Sequence, residues 1–391
     1  MALTITIPGG AVQLQGTEMR VKINTDNVQG DLYRVLLKIT SEDAKLDGMP
    51  QILENIPDAN GDAWFDISGF LYRYFVPTFS ATGGVLATER ADIPALISLD
   101  IGESYVDANS VRQENWAGLD GDQYQVNVLQ GGLSEFEKNL YTEQATNWYN
   151  QFIVGGKWLT ALPSGVKIAP TAAAKLWCIS AEAAAQNLTF KADYTLLDGT
   201  TGTVSQAITV NPGSIYEFNV DPATLGLDVA SANPVASYQC YLENTGVQVI
   251  EKFTFNLDYT YYEFNTQVFA FNRYSAIDPY WFTGKVKTNF PAEHTTAQRT
   301  AQKTDTTRQR TVVISAKSGR RKWIVNTGHK SWEEIRDLEH LIMSRQLWIL
   351  DETTGYVIPV NIENSAEALG AIDKNLHDFE LELTEAHNNR Y

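Results

Sequence analysis

Cysteine, basic side chains and long apolar runs are all scarce in this chain of 391 residues. Its two cysteines, Cys178 and Cys240, form no CxxC pair, which excludes a disulfide framework and a cysteine zinc site, and we expect both to be buried free thiols. No run reaches the roughly 18 apolar residues that a membrane-spanning helix needs. Only 30 Lys and Arg oppose 47 Asp and Glu, and the net charge of −17 disfavours nucleic acid or an anionic membrane as the main partner.

The strong sequence signatures of catalysis are missing as well. The chain has no GxSxG elbow, no HExxH, no P-loop and no GxGxxG, and its five histidines show no metal-ligand spacing. The segment 58–62 begins like a calcium loop, but its glycine stands at the fourth position, so a hairpin turn is the better interpretation. We therefore expect no enzymatic activity, no metal site and no cofactor.

The most frequent pattern in the chain is a series of short apolar segments separated by Gly, Asp, Asn and Pro. Their spacing of about 8 to 12 residues is typical of β-sandwiches. We predict a mainly β fold, built as a multi-domain set of β-sandwiches and antiparallel sheets. At roughly 150 residues per domain, we divide it into an N-terminal β-sandwich (1–155), a small β domain (165–232) and an aromatic-rich β domain (233–391).

Helix is predicted in two places. Ser134 and Glu137 fit a capping box, and the residues after it are either helical to about Trp148 or form a long loop. Near the C-terminus Ser331 and Glu334 repeat the box, ahead of apolar residues that share one helical face: Trp332, Ile335, Leu338, Leu341 and Ile342. This pattern predicts one C-terminal amphipathic helix packed on a sheet. Farther on, Pro359 predicts that its strand lies at an edge or carries a bulge.

Aromatic residues concentrate between positions 253 and 282, where 12 of 30 residues are Phe, Tyr or Trp. Their alternation predicts two strands, or one strand bent by a bulge. Two interpretations stay open: the core of a sheet, because aromatic side chains dominate core burial, or a contact surface between subunits, where they are enriched.

Positive charge concentrates in one segment. Residues 285–322 hold ten Lys or Arg against two acidic residues, a net +8 that leaves −25 for the rest of the chain. Within it, 288–311 is rich in Thr, Ala and Gln and predicts a long loop, which we term the basic arm. It could be a solvated flexible loop, an arm laid on the acidic face of a neighbouring copy, or a nucleic-acid contact. We favour the second, with these interface candidates: Lys285, Lys287, Arg299, Lys303, Arg308, Arg310, Arg320 and Arg321.

Four pairs of segments resemble a family of phage tail and baseplate proteins, seen especially in phages of Bacteroidetes. The matching segments are 58–61 with 65–68, 131–134 with 157–160, 271–274 with 278–284, and 356–362 with 376–383. The helix, strand and hairpin at the C-terminus are also similar to parts of distal-tail proteins, which form rings where the tail tube meets the baseplate. The family is structural, and the resemblance implies no catalytic residues.

The resemblance and the charge pattern together predict a structural virion protein that self-assembles through its basic arm and acidic body. Its partners would be other copies in a ring or trimer, other virion proteins and, at a tail tip, a host surface receptor; no membrane or nucleic-acid partner is expected. Without a recognisable signal peptide, the protein is expected to assemble into virions in the bacterial cytoplasm. The alternative is a receptor- or glycan-binding β-sandwich that uses exposed Trp and Tyr, and a tail-associated hydrolase also stays open.

Overall fold

The computed structural model describes residues 3–6, 12–14, 19–26, 32–41, 50–71, 84–91, 93–117, 124–180, 184–298, 312–330, 332–351, 354–363, 378–386 and 389–390. In these ranges the chain is mainly β, and most strand pairs are antiparallel, which confirms the predicted fold class at this level. No helix in the same ranges is both long and apolar enough to cross a membrane.

The N-terminal part is built from two facing sheets. Its elements are β1 (Leu3–Thr6), β2 (Val12–Leu14), β3 (Arg20–Thr25), β4 (Arg34–Thr40), β5 (Gln51–Asn55), β6 (Asp62–Asp66), α1 (Ser68–Leu71), β7 (Ala87–Glu89), β8 (Ala95–Val106), β9 (Arg112–Ala117) and β10 (Tyr124–Leu129). One sheet has the order β1-β3-β6 and the other β2-β10-β8-β4-β5, with β9 beside β8. Alternate side chains such as Ile23, Leu37 and Leu99 are fully buried in a shared core, as expected for a sandwich-like pair of sheets.

Strand β10 is followed by helical segments. Helix α2 (Glu135–Glu143) starts at the predicted capping box, where the Ser134 hydroxyl and backbone N–H both donate to Glu137 Oε2 at 2.9 Å. It ends at Glu143, short of the predicted limit, and a π-helical turn, Tyr149–Val154, comes next. Part of the predicted helix is therefore correct, and its extent was overestimated.

The middle of the chain contains a second pair of sheets. Its strands are β11 (Val166–Ile168), β12 (Lys175–Ile179), β13 (Gln186–Leu196), β14 (Thr201–Val210), β15 (Ile215–Asn219), β16 (Val235–Asn244) and β17 (Val247–Leu257). They pair in the orders β12-β15-β7 and β11-β17-β16-β13-β14, so strands on both sides of residue 232 share one sheet. The core between the two sheets includes Cys178 and Cys240, both buried free thiols as expected.

The β12-β15-β7 sheet is covered on both faces. Phe218 packs in the core toward β13, whereas Trp177 belongs to a second core with Phe269 and Ile277 of the following strands. Trp177 also donates its indole N–H to the Ile277 carbonyl at 3.2 Å. All five residues of β12 and all five of β15 are consequently buried.

Four charged or polar side chains are buried in this sheet. Glu217 pairs through one carboxylate oxygen with Arg90 and through the other with Lys175, and Lys175 also donates to Asn219 at 2.7 Å. The Arg90 guanidinium lies 5.0 Å from the centre of the Trp177 ring. Burial of charge is costly unless the charges are paired and hydrogen-bonded, and Glu217 supplies the carboxylate that both cations share.

The C-terminal part forms a seven-stranded sheet and a smaller one. Its elements are β18 (Thr266–Phe271), β19 (Ile277–Phe282), β20 (Val286–Asn289), β21 (Ala292–Gln298), β22 (Val312–Gly319), β23 (Lys322–Asn326), α3 (Trp332–Ile342), β24 (Leu347–Leu350), β25 (Val357–Ile362), β26 (Glu380–Glu385) and β27 (Asn389–Arg390). The large sheet has the order β19-β18-β24-β25-β26-β23-β20, and the small one has the order β21-β22-β27.

The seven-stranded sheet is rolled rather than flat. Its two edge strands, β19 and β20, are joined by residues 283–285 alone. Seven flat strands would hold these edges about 29 Å apart at ~4.8 Å per strand. The connection, with four Cα steps of about 3.8 Å, reaches at most ~15 Å. The edges therefore approach each other, and Gly284 N–H donates to the Asn326 carbonyl at 3.1 Å.

One detail of this region differs from expectation, and the aromatic segment agrees with it. Pro359 lies in β25, which has neighbours on both sides and no bulge in either register, so the prediction of an edge or a bulged strand was wrong. The proline is tolerated because the ladder with β26 covers only Val360–Ile362. The alternating aromatic series forms two strands, β17 and β18, and Tyr261 lies between them, 88% exposed. Eight of the 12 aromatic side chains between 253 and 282 are buried, so most of that cluster is core.

Candidate functional site

The predicted basic arm coincides in part with a β-hairpin. Strands β21 and β22 pair antiparallel from Ala292↔Gly319 to Gln298↔Val312, and β27 pairs with the end of β22. The prediction of a loop throughout 288–311 was wrong for Thr288–Asn289 and for β21, because pairing with partner strands outweighs the weak strand signal of a Thr- and Gln-rich segment. We call β21 and β22, together with the residues 299–311 that join them in the sequence, the basic hairpin; residues 299–311 themselves lie outside the described ranges.

The structure locates four of the eight candidate interface residues. Lys285 and Lys287 are exposed beside and within β20, and Arg320 is exposed and Arg321 half-buried in the connection from β22 to β23. All four lie at the base of the basic hairpin, since β20 and β23 pair directly. The other four candidates, Arg299, Lys303, Arg308 and Arg310, lie outside the described residues.

Part of the charge at this base is neutralised within the chain. Lys322 Nζ lies 2.6 Å from a Glu363 carboxylate oxygen. The hydrogen bond from Lys322 lowers the pKa of the Glu363 carboxyl, and the charges of Lys322 and Arg320 act in the same direction. The Arg321 backbone N–H donates to Glu385 at 3.2 Å, while its guanidinium lies 5.7 Å from the Trp323 ring centre. These contacts hold the base of the hairpin in a fixed position on the rolled sheet.

A groove of about 470 Å³ opens beside the hairpin base. We call it the arm groove, and its lining includes Val286, Thr288, Arg321, Trp323, Ile349 and Ile358. Sequence reasoning did not find it, because its lining includes residues of five strands that come together only in the folded sheet: β18, β20, β23, β24 and β25. The lining also includes the carboxylates Glu263 and Asp351, so the groove combines apolar side chains with charges of both signs.

A second groove, of about 440 Å³, lies between residues 162–168 and the strand β19. We call it the aromatic groove, since Tyr280, Trp281 and Phe282 line it together with Lys167, Lys330 and Glu334. Lys330 Nζ lies 5.6 Å from the Trp281 ring centre. Burial lowers the pKa of the Lys330 ammonium, and the nearby Glu334 carboxylate opposes that shift.

A buried carboxyl lies near this groove and is fully occupied with structural contacts. Asp278 accepts hydrogen bonds from the Thr160 hydroxyl at 2.7 Å, the Ala161 N–H at 2.9 Å and the Asn272 amide at 2.8 Å. Burial raises the pKa of Asp278 to about 6, although these three hydrogen bonds oppose the shift. The carboxyl fastens the segment after Leu159 to the β18–β19 hairpin and has no access to a substrate.

No group of three or more His, Cys, Asp or Glu side chains in the described ranges is arranged to hold a metal ion. His340, the one histidine on α3, is half-buried, and burial lowers its pKa.

Comparison with known proteins gives little further information. No protein-family model matches the chain, and no curated protein matches it. A solved structure described as a marsupial T cell receptor aligns with 76% of this chain and 88% of its own, at 9% identity and a TM-score of 0.20. Similarity at that level supports no argument about fold or function.

Proposed function

We propose that this protein is a structural component of a bacteriophage virion, at the tail or baseplate, and that it self-assembles by laying its basic arm and the basic residues that flank it (285–322) on the acidic body of a neighbouring copy. One observation carries the proposal: residues 285–322 hold a net +8, whereas the rest of the chain holds −25. Opposite potentials on two surfaces steer association and fix its register. In a homo-oligomer, such unlike surfaces make a head-to-tail contact, which closes into a ring or a trimer.

The described geometry fits this use. Strands β21 and β22, which flank residues 299–311 in the sequence, belong to a separate small sheet, while the base of the basic hairpin is fixed to the rolled sheet by β20 and β23. The proposal includes the distal-tail-like arrangement, in which a helix packs on the C-terminal sheet. Its support is that Leu338 and Leu341 of α3 are buried in the same core as Leu381. Other virion proteins are the further partners, and the host cytoplasm is the place of assembly.

Neutralising the arm is expected to disperse the assembly. The test variant replaces Arg299, Lys303, Arg308 and Arg310 with glutamine. Size-exclusion chromatography with light scattering at low ionic strength should give the wild type a mass well above that of two 43.5-kDa chains, and the variant the mass of a monomer or a dimer. The effect is expected because each lost cation removes attraction to the acidic neighbour.

The matched control neutralises four lysines of the body instead: Lys138, Lys157, Lys191 and Lys252. It should assemble like the wild type or better, because it makes the body more acidic. Assembly of the arm variant at the wild-type mass, with normal rings or trimers in negative-stain micrographs, would remove the basis of the proposal.

A second candidate function, binding of a glycan or host receptor, is favoured by the aromatic groove. The groove places the aromatic side chains Tyr280 and Trp281 beside Lys330 and Glu334, and sugar-binding sites also combine aromatic and polar side chains. A glycan array probed with the wild type and with Lys330→Ala tests it. Binding that the Lys330→Ala variant loses would favour this function, and a blank array for the wild type would reject it.

A further inference from the structure

Strand β14 (Thr201–Val210) forms one edge of the five-stranded middle sheet. Its ten residues pair with β13 in an unbroken register from Thr201↔Thr195 to Val210↔Gln186, with no bulge. Among the described residues, no other strand pairs with β14. The outer side of this strand therefore carries backbone N–H and C=O groups that a further strand could bind.

The composition of β14 makes this edge unusual. Natural edge strands are usually protected by charges, proline, bulges or short length, and β14 has none of these protections. Other edges of the fold follow the rule: β20 has four residues and contains Lys287, β6 contains Asp62 and Asp66, and β19 contains Pro279. A long, neutral and regular edge is the type that accepts another strand.

We propose that the β14 edge pairs with the β14 edge of a second copy, antiparallel and about a two-fold axis, so that the two middle sheets join into one. This inference goes beyond the proposed virion function and does not rest on it.

The backbone pattern fixes which residues would pair. Leu196 N–H donates to the Thr200 carbonyl at 2.8 Å, and hydrogen-bonded pairs alternate along an antiparallel ladder. Even-numbered residues of β14 therefore bond to β13, and odd-numbered residues, from Thr201 to Thr209, direct their backbone groups outward. Pairing these groups between two copies would form on the order of eight backbone hydrogen bonds.

The side chains favour the register in which the two-fold axis between the two copies passes beside Gln206. In that register Val204 faces Ile208 of the second copy on the inner side, and Thr203 faces Thr209 on the outer side. Val204 and Ile208 are half-buried against the core of the middle sheets, so the apolar layer would continue across the junction. A shift of the axis to Ser205 would place Val204 against Gln206, which is the poorer pair.

The charged side chains near β14 do not oppose pairing of the two β14 strands. The charged residues of the adjacent strand β13 are paired within the chain, Lys191 with Glu243 at 2.7 Å and Asp193 with Lys252 at 2.9 Å. The remaining repulsion comes from the net charge of −17 on each copy, and salt screens it. Salt should therefore preserve the β14 contact, whereas it should weaken a contact made by the basic hairpin.

Disulfide trapping in the full chain tests the proposal. In the Gln206→Cys variant, the two introduced cysteines would form a non-hydrogen-bonded pair with a Cα separation of about 4.5 Å, within the range of a disulfide. The native cysteines are buried, so they should not compete. Under mild oxidation in high salt, we expect most of the variant to migrate as a disulfide dimer on a non-reducing gel. The control, Val247→Cys, places an exposed thiol at the β16–β17 turn of the same sheet and should give much less dimer.

A second variant measures association without a crosslink. Ser205→Pro removes one outward N–H and leaves the bonds to β13 intact, so it should lower the dimer fraction in sedimentation equilibrium at high salt. Equal crosslinking of Gln206→Cys and Val247→Cys would overturn the proposal, and this outcome does not depend on how Ser205→Pro folds. Because the basic hairpin is unchanged in all three variants, such a failure would leave the proposed virion function unaffected.

Discussion

Replacement of Glu217 by alanine is expected to lower the free energy of unfolding by about 3 to 5 kcal/mol, the usual cost of breaking a buried ion pair. Arg90 and Lys175 share the Glu217 carboxylate, and all three side chains are at most 9% exposed. Without the Glu217 carboxylate, the two buried cations lose their shared counter-charge in a sheet that is covered on both faces. Urea unfolding followed by circular dichroism gives the free energy. Hydrogen exchange of the β12 and β15 amides gives the location of the effect.

An exposed pair of the same chemistry provides the control. Arg112 pairs with Glu54 on the N-terminal sheet, and both side chains are at least 41% exposed. Glu54→Ala should change stability very little, because water and salt screen exposed ion pairs. A Glu217→Ala variant no less stable than Glu54→Ala would show that the buried cluster does not hold the middle sheet together.

Replacement of Asp278 by alanine is expected to be the second large loss, about 3 kcal/mol or more, because it leaves several buried donors without an acceptor. The donors are the Thr160 hydroxyl, the Ala161 N–H and the Asn272 amide. These contacts join the segment that precedes the middle sheets to the β18–β19 hairpin. The loss should therefore appear as faster hydrogen exchange in both segments, measured by mass spectrometry.

The raised pKa of the Asp278 carboxyl also predicts how the stability of the protein changes with pH. Its pKa is raised to about 6 in the folded chain, above the ordinary value of 3.8 for an aspartic acid. Between these two values the folded state binds the proton more tightly than the unfolded state, so this group adds stability as the pH falls. A shift of about two pKa units corresponds to roughly 3 kcal/mol. The stability of wild type relative to Asp278→Asn should therefore increase by up to that amount between pH 7 and pH 4.

Asp258→Asn is the control with the opposite sign. Burial raises the pKa of Asp258, but hydrogen bonds from Thr260 and Tyr262 outweigh it, and the net pKa is lowered. The wild type should therefore lose its advantage over Asp258→Asn as the pH falls through that lowered pKa. Parallel pH profiles for the Asp278 and Asp258 variants would contradict the assigned burial of Asp278.

Local signals in the sequence predicted local structure well. Asp198 and Gly199 are typical turn residues, and β13 and β14 pair around Gly199, whose φ of 88° suits glycine. The capping box at Ser134 and Glu137 formed as well. These features depend on neighbouring residues, so the chain specifies them without reference to distant contacts.

The buried ion cluster and the grooves could not be predicted in this way. The alternation around Glu217 is typical of a strand with one solvated face, yet packing against Phe269 and Ile277 covers that face. The candidate site was predicted only as a stretch of basic charge. The position of its base, on a rolled sheet and beside a groove, was not predicted. It depends on pairings between residues far apart in the sequence, such as Lys287↔Ile324.

The salt dependence of the mass of the full chain tests the central claim most directly. Sedimentation velocity at low ionic strength should show an assembly of several copies. At about 1 M salt, where the screening length falls to ~3 Å, that assembly should fall to a monomer or, through β14, to a dimer. A chain that is monomeric at low ionic strength, or an assembly of several copies that keeps its mass at high salt, would contradict assembly through the basic hairpin and the acidic body.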